Sequence, residues 1–216
     1  MNLVCPLCHF NQHQTLFHSD KKRTYIQCQR CRLVYVSREC LPTLLEEKRE
    51  YDLHENSFDD EGYHRFLSRA YDVAATETEN FIYVKNALDF GCGPAPVLAA
   101  TLSRNIAEVS FFDPLYFPCL PDKRQQFDLI TCTEAIEHFH TPHEEWHWIV
   151  SRLSENGVFI VMTKRVISAS RFAQWHYKND LTHVSFFSDF TFTYLAAKSA
   201  LTVSFPSDDI AVFKRI

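Results

Sequence analysis

Apolar residues follow two rhythms along the chain. From residue 86 onward, short unbroken apolar runs alternate with stretches at helical spacing. The runs are NALDF (86–90), EVSFFD (108–113), FDLITC (127–132) and GVFIVMT (157–163), with helical patterns at about 97–104 and 142–153. Unbroken runs predict strands buried on both faces, and their alternation with helices predicts a mostly parallel sheet covered on both sides. A last helix over about 189–199 leads into LTVSF (201–205) and IAVFKRI (210–216), which predict an antiparallel terminal hairpin on the sheet edge.

Upstream the rhythm changes. In residues 41–86, Pro42 sits where it opens LPTLLEEKREY as an early helix position. A second helix is expected from about Asp59 to Asn80, with Tyr63, Phe66, Leu67, Ala70, Tyr71 and Ala74 forming a stripe that packs against the core. Residues 1–40 read as a hairpin built around YIQCQRCRLVYV (25–36). The chain therefore divides into a head (1–40), a helical linker or lid (41–86) and an α/β core (87–216).

At 216 residues and 46% apolar content the chain supports a packed core. No apolar run approaches a bilayer's thickness, and MNLVCPLCHF lacks the basic and apolar regions of a signal peptide. A cytoplasmic protein without membrane contact is expected. In a reducing compartment eight Cys suggest metal ligands and buried thiols rather than disulfides. Net charge is −5 but uneven: the first 40 residues hold Lys21, Lys22, Arg23, Arg30, Arg32 and Arg38 against only Asp20 and Glu39. A basic head precedes an acidic body, which argues against non-specific polyanion binding by the whole molecule.

Cys5, Cys8, Cys28 and Cys31 make C-x2-C-x19-C-x2-C, the spacing of two knuckles closing one tetrahedral thiolate site. A structural Zn2+ is expected, since four thiolates leave no open position. His9 reads as a turn residue, and Cys40, Cys92, Cys119 and Cys132 as small hydrophobes.

The strand ending at Phe90 runs into Gly91-Cys92-Gly93 and a helix beginning near Pro94 or Pro96. In open α/β sheets ligands bind at such turns. A GxG alone does not choose the ligand; a dinucleotide fingerprint has Gly near position 96, where this chain has Pro. Asp89 precedes the glycines, and Asp113, 24 residues later, ends the next run, well placed for ribose hydroxyls.

These residues resemble the class I S-adenosylmethionine-dependent methyltransferases, whose first motif is an acid followed by GxG, with a second acid ending the next strand. The resemblance implies a Rossmann-like sheet over 86–216 with S-adenosyl-L-methionine as cofactor. It implies that Asp89, Gly91, Cys92 and Gly93 line the cofactor's amino-acid end and that Asp113 holds its ribose. FDLITCTEAIEHF (127–139) is similar to the fourth strand, which implies that Cys132 and Thr133 lie beside the cofactor. ENGVFIVMT (155–163) is similar to the turn and fifth strand. RTYIQCQRCRLVYV, YDLHENSFDDEGYHRFLSR, LDFGCGPAP and WHYKNDLTHVSFF together resemble a group of bacterial zinc-ribbon methyltransferases.

Three clusters offer groups for chemistry. Glu134, Glu137 and His138 follow the fourth strand. Trp175, His176, Tyr177, Asp180 and His183 follow the fifth, dense enough in aromatic and titratable groups for a pocket. Tyr51, His54, Asn56, Asp60 and Tyr63 form a candidate lid. Glu134, His138, His176, Tyr177 and His183 are the catalytic candidates, while Glu134, His138 and His140 are poorly spaced for a shared metal. The leading expectation is methyl transfer to a small molecule. The alternatives are RNA or protein methylation with the basic head as docking module, and a non-catalytic cofactor-binding protein.

Overall fold

The computed structural model describes residues 3–51, 57–122 and 124–215. The head contributes β1 (Thr15–Ser19), β2 (Thr24–Gln27) and β3 (Val34–Val36), followed by helices α1 (Leu44–Tyr51) and α2 (Glu61–Glu77). Next come β4 (Asn86–Phe90), α3 (Val97–Leu102), β5 (Glu108–Phe112), β6 (Phe127–Thr133), α4 (Pro142–Arg152) and β7 (Leu153–Met162). The chain closes with α5 (Ala169–Ala173), β8 (Ser185–Phe186), α6 (Asp189–Lys198), β9 (Leu201–Ser207) and β10 (Ile210–Arg215). Among the described residues no helix is long and apolar enough to cross a membrane.

The central sheet has the order β5-β4-β6-β7-β10-β9. Strands β5, β4, β6 and β7 are parallel; β10 is antiparallel to both β7 and β9. This is the expected Rossmann-like architecture with its terminal hairpin. Strand periodicity assigns the two faces. Ala87, Leu129, Ile160 and Val212 meet Leu67, Ala70, Ala74, Val97 and Leu98 from α2 and α3. Their neighbours Leu88, Ile130, Phe159 and Phe213 meet Trp146, Ile149, Phe192 and Leu195 from α4 and α6. β4, β6, β10 and the second half of β7 are buried on both sides, which is why they read as continuous apolar runs.

Two boundaries differ from expectation for local reasons. Thr43 and Glu46 form a reciprocal cap: the Thr43 N–H donates to Glu46 Oε2 (2.8 Å) and the Glu46 N–H to Thr43 Oγ1 (3.3 Å). Helix α1 therefore starts at Leu44 and Pro42 stays outside it. Asn156-Gly157, expected as a turn, lies inside β7, beside a register shift against β6. A Cβ on Gly157 would stand 2.7 Å from Leu153 Cδ1 and 3.0 Å from the Phe127 carbonyl oxygen. The glycine is needed for close approach, not for a turn. Gly157→Ala is expected to cost about 1–3 kcal/mol by overpacking, read as a lowered midpoint in urea unfolding.

A second sheet has the order β1-β2-β3-β8, so the head's hairpin borrows its last strand from the body. The two cores are also continuous: Cys5, Leu7, Cys28, Cys31 and Leu33 cluster with Phe139, Trp146 and Phe187. Arg23 fastens this junction. It is 5% exposed, and its guanidinium donates to the carbonyls of Lys178, Asp180 (2.7 Å), Leu181 (3.0 Å) and His183 (3.0 Å). A basic residue counted toward a docking surface is thus an internal clamp on residues 178–183.

Candidate active site

The chain leaves β4 to build β5 on one side, then returns to build β6 on the other. Where the strand order reverses, the carboxyl ends of β4 and β6 diverge and a crevice opens. Gly91 and Gly93 lie there with φ of 75° and 65°, a region that favours residues without a Cβ. A Cβ on Gly91 would meet that of Ala135 at 2.4 Å, whereas one on Gly93 would have nothing within 4 Å. Gly91 is thus fixed by packing, and Gly93 faces open space.

That space is a cavity of about 930 Å³. Gly91, Gly93, Asp113 and Thr133 wall one end, and Glu134, His138, Asp180 and His183 line another part. Aromatic side chains complete the lining: Tyr51, Tyr63 and Phe66 from the linker, with Phe90, Phe112 and Trp148 from the core. Glu47, Asp113, Glu134, Glu144, Glu145 and Asp180 bring six carboxylates to the lining; among the described lining residues there is no Lys or Arg. A site of this composition favours cations over anions.

Asp113 is more committed than the sequence suggests. Its Oδ2 accepts from the Gly93 N–H (3.0 Å), and its Oδ1 from the N–H groups of Leu115 (2.9 Å) and Tyr116 (3.1 Å). A carboxylate offers about four acceptor positions, so roughly one is left for a ligand. Asp89 lies behind the wall, fully buried, accepting from the Thr131 hydroxyl (2.9 Å), and burial pushes its pKa up to about 6. Cys92 and Cys132 are likewise buried behind the lining. Cys119, expected as a small buried hydrophobe, is exposed.

The two polar clusters after β6 and β7 meet, but not as a single pocket. Glu134 has φ 46°, a strained setting for a residue with a side chain. Its Oε2 accepts from the Tyr177 hydroxyl (3.2 Å), while Oε1 is buried and has no partner. Burial, and then neighbouring Glu137, push the Glu134 pKa up to about 8. Tyr177 sits behind it with its hydroxyl also within reach of Glu137 Oε1, so its one proton serves either carboxyl, while the Thr163 hydroxyl donates to Glu137 Oε2 (2.9 Å). Glu137, one of the cluster's original members, is thus a buried strut at 1% exposure.

Two of the three histidines lining the cavity, His138 and His183, are held through Nδ1. That of His138 lies 3.2 Å from the Thr182 carbonyl oxygen and that of His183 lies 2.7 Å from the Tyr177 carbonyl oxygen. A carbonyl only accepts, so Nδ1 carries a proton in each, and the Nε2 of His183 faces Asp180 Oδ2 at 3.7 Å. Burial holds the His138 pKa below the usual imidazole value. His176 is exposed and outside the cavity, 3.4 Å from the Lys164 ammonium. His140 turns to Glu47. Of the lid candidates Tyr51 and Tyr63 line the cavity, Asp60 caps α2, and His54 and Asn56 lie outside the described residues.

Sequence reasoning missed the segment Pro114–Leu120, whose Pro114, Leu115, Tyr116 and Leu120 line the cavity. With three prolines in PLYFPCLP, it has neither helical nor strand periodicity to mark it.

In the head, Cys5 Sγ is 3.6 Å from Cys31 Sγ and Cys8 Sγ is 3.5 Å from Cys28 Sγ. All four sulfurs lie within 4.8 Å of one another. Thiolates on one zinc at about 2.3 Å stand about 3.8 Å apart along a tetrahedral edge, so the cluster is compatible with a zinc site. The knuckles are alike: the N–H groups of His9 and Arg32 donate to the carbonyls of Cys5 (3.1 Å) and Cys28 (2.9 Å). His9 and Arg32 have φ of 55° and 61°, consistent with His9 as a turn residue.

The profile of the methyltransferase domain family matches residues 58–203. No match is found among curated proteins. Two solved structures share the fold. One is S-adenosylmethionine-bound CalS10, an amino pentose methyltransferase from Micromonospora echinaspora involved in calicheamicin biosynthesis. It has a TM-score of 0.54 and 13% identity, covering 76% of this chain and 100% of that one. The other is an O-methyltransferase family protein from Burkholderia thailandensis, with a TM-score of 0.51 and 13% identity, covering 69% of this chain and 57% of that one. At such identities the likeness is one of fold. The family match, however, spans more than half of the chain, beginning just before α2 and ending in β9, and with the glycine turn at the switch point it settles the class: the chain belongs to the methyltransferase-domain family.

Proposed function

We propose that this protein transfers a methyl group from S-adenosylmethionine to a small-molecule acceptor bound in the same cavity. The single observation that carries this reading is the cavity itself. At about 930 Å³ it lies toward the top of the roughly 300–1,000 Å³ range of ligand pockets, with room for a donor and an acceptor. The residues fit the donor: the open side of Gly93 admits a ligand against the backbone, and the anionic, aromatic lining suits a sulfonium cation. Bound there, the cofactor supplies the methyl group; the protein aligns the acceptor and takes up its proton. We assign Gly91, Gly93, Asp113 and Thr133 to the donor end.

At the acceptor end we assign proton uptake to Glu134, which lines the cavity and whose buried Oε1 has no partner, with His138 and His183 in the same lining. Tyr177 positions Glu134. The carboxylate-rich lining favours a neutral or cationic acceptor over a phosphate-bearing one. That preference, and the burial of Arg23, support a small molecule over RNA. In the head we assign a structural zinc to Cys5, Cys8, Cys28 and Cys31.

Calorimetry tests the donor. S-adenosylmethionine or its demethylated product is expected to bind, and Asp113→Ala to weaken binding tenfold or more, because the substitution frees the Gly93 N–H and removes the ribose acceptor. No heat with either compound would sink the reading. Incubating extract fractions with labelled donor then identifies the acceptor.

A further inference from the structure

The sequence spacing of Glu134, His138 and His140 argues against a shared metal, and the fold separates them. It assembles a different set instead. Glu137, His138 and His183 each offer a ligand atom, and these lie within 4.8 Å of one another. We propose that Glu137, His138 and His183 hold a first-row divalent metal ion at the wall of the cavity. That the ion stands at the acceptor end rests on the methyl-transfer reading; the ion site itself does not.

Three observations support it. First, each imidazole donates Nδ1–H to a backbone carbonyl, Thr182 for His138 and Tyr177 for His183. Metal-binding histidines are oriented in this way, because the bond fixes the tautomer that turns Nε2 toward the ion; in His183 that Nε2 lies 3.7 Å from Asp180 Oδ2, a carboxylate beside the proposed site. Second, Glu137 and His183 are 1% and 7% exposed, and among the described residues no Lys or Arg pairs with Glu137. A buried carboxylate without a cation is costly, and a metal ion would balance it. The hydroxyls of Tyr177 and Thr163 hold its two oxygens and leave lone pairs on each. Third, the frame is stiff. Glu137 and His138 share one tight turn (Ile136–His138) directly after β6, and the His183 carbonyl is clamped by Arg23.

The distances are close to what is needed. Trans ligands at about 2.1 Å from an ion stand about 4.2 Å apart, so a spread of 4.8 Å closes with about half an ångström of side-chain movement. Two imidazoles and one carboxylate suit Mn2+, Fe2+, Co2+ or Zn2+, and leave positions open to the cavity, where His138 and His183 already reach its surface. An acceptor oxygen bound there would have its proton made more acidic.

The test is a titration of full-length, zinc-loaded protein with Mn2+, followed by electron paramagnetic resonance of the free ion. Mn2+ is the probe because it competes poorly for a four-thiolate site. One equivalent is expected to bind in wild type. Glu137→Gln and His183→Ala are each expected to weaken it at least tenfold, while exposed His147→Ala leaves it unchanged. Each variant is checked for one retained zinc and cooperative unfolding; should His183→Ala fail to fold, His138→Gln replaces it. No Mn2+ uptake by wild type at millimolar metal, or uptake that survives both ligand substitutions, overturns the site. Donor calorimetry on the same samples separates the two readings: Mn2+ binding without donor binding refutes methyl transfer and leaves the ion site standing.

Discussion

Cys28→Ser is expected to lower zinc from about one per chain to near zero and, with it, to abolish donor-dependent methyl transfer, although Cys28 lies outside the cavity lining. The link is mechanical. The knuckles hold one end of the short strands β2 and β3, only four and three residues long. Those strands present Arg23 to the carbonyls of residues 178–183 and pair β3 with β8. The same segment carries Asp180 and His183 into the cavity. The first knuckle also docks on α4, where the His143 N–H donates to the Pro6 carbonyl (3.3 Å) and His143 Nδ1 to the Leu7 carbonyl (3.0 Å). Structural zinc contributes on the order of 10–16 kcal/mol to small thiolate modules, comparable to the whole stability of a domain. Metal analysis, hydrogen exchange over residues 20–36 and 178–186, and the labelled-methyl assay should therefore fail together. A zinc-free Cys28→Ser protein with wild-type exchange protection at 178–186 would disprove the coupling.

How much of this could be read beforehand depended on whether the relevant interaction was local. β4 and β6 were legible because burial on both faces leaves an unbroken apolar run. The two knuckles were legible because thiolate geometry restricts cysteine spacing within each turn. The Gly91-Cys92-Gly93 turn was legible as a turn. What escaped was set by partners far along the chain. β8 is two residues long and exists because β3 lies beside it. Arg23 reads as a surface charge and becomes a clamp only through carbonyls some 155–160 residues away. Asp89 and Asp113 carry the same motif signature, yet one faces Thr131 behind the wall while the other ties down the Gly93 backbone. Trp175 to His183 read as one polar cluster, but the backbone turns through it, burying Tyr177, lining the cavity with Asp180 and His183, and leaving His176 outside.

Glu134→Gly is expected to yield a protein that is both more stable and inactive. At this position two costs coincide. The backbone sits at φ 46°, which glycine adopts without strain, and the side chain buries a carboxyl whose Oε1 has no partner. Strain of this kind costs on the order of 1–3 kcal/mol, and an unsatisfied buried oxygen a similar amount. Glycine's greater freedom in the unfolded chain offsets up to about 1 kcal/mol, so a net gain of at least about 1 kcal/mol is expected. In a chain of 216 residues that corresponds to a rise of at least roughly 2 °C in melting temperature. Natural sequences do not keep such a residue for stability, and the proton uptake proposed for Glu134, which lines the cavity, gives it another role. Glu134→Gln keeps the shape and an acceptor for the Tyr177 hydroxyl while removing the base. Its donor affinity should stay within a few-fold of wild type while turnover falls about 10²–10⁴-fold, the usual span for a general base. The pair of variants separates the causes, because glycine changes backbone and base together whereas glutamine changes the base alone. A Glu134→Gly protein that melts below wild type, or a Glu134→Gln protein that transfers methyl at the wild-type rate, would remove Glu134 from the chemistry and return it to the scaffold.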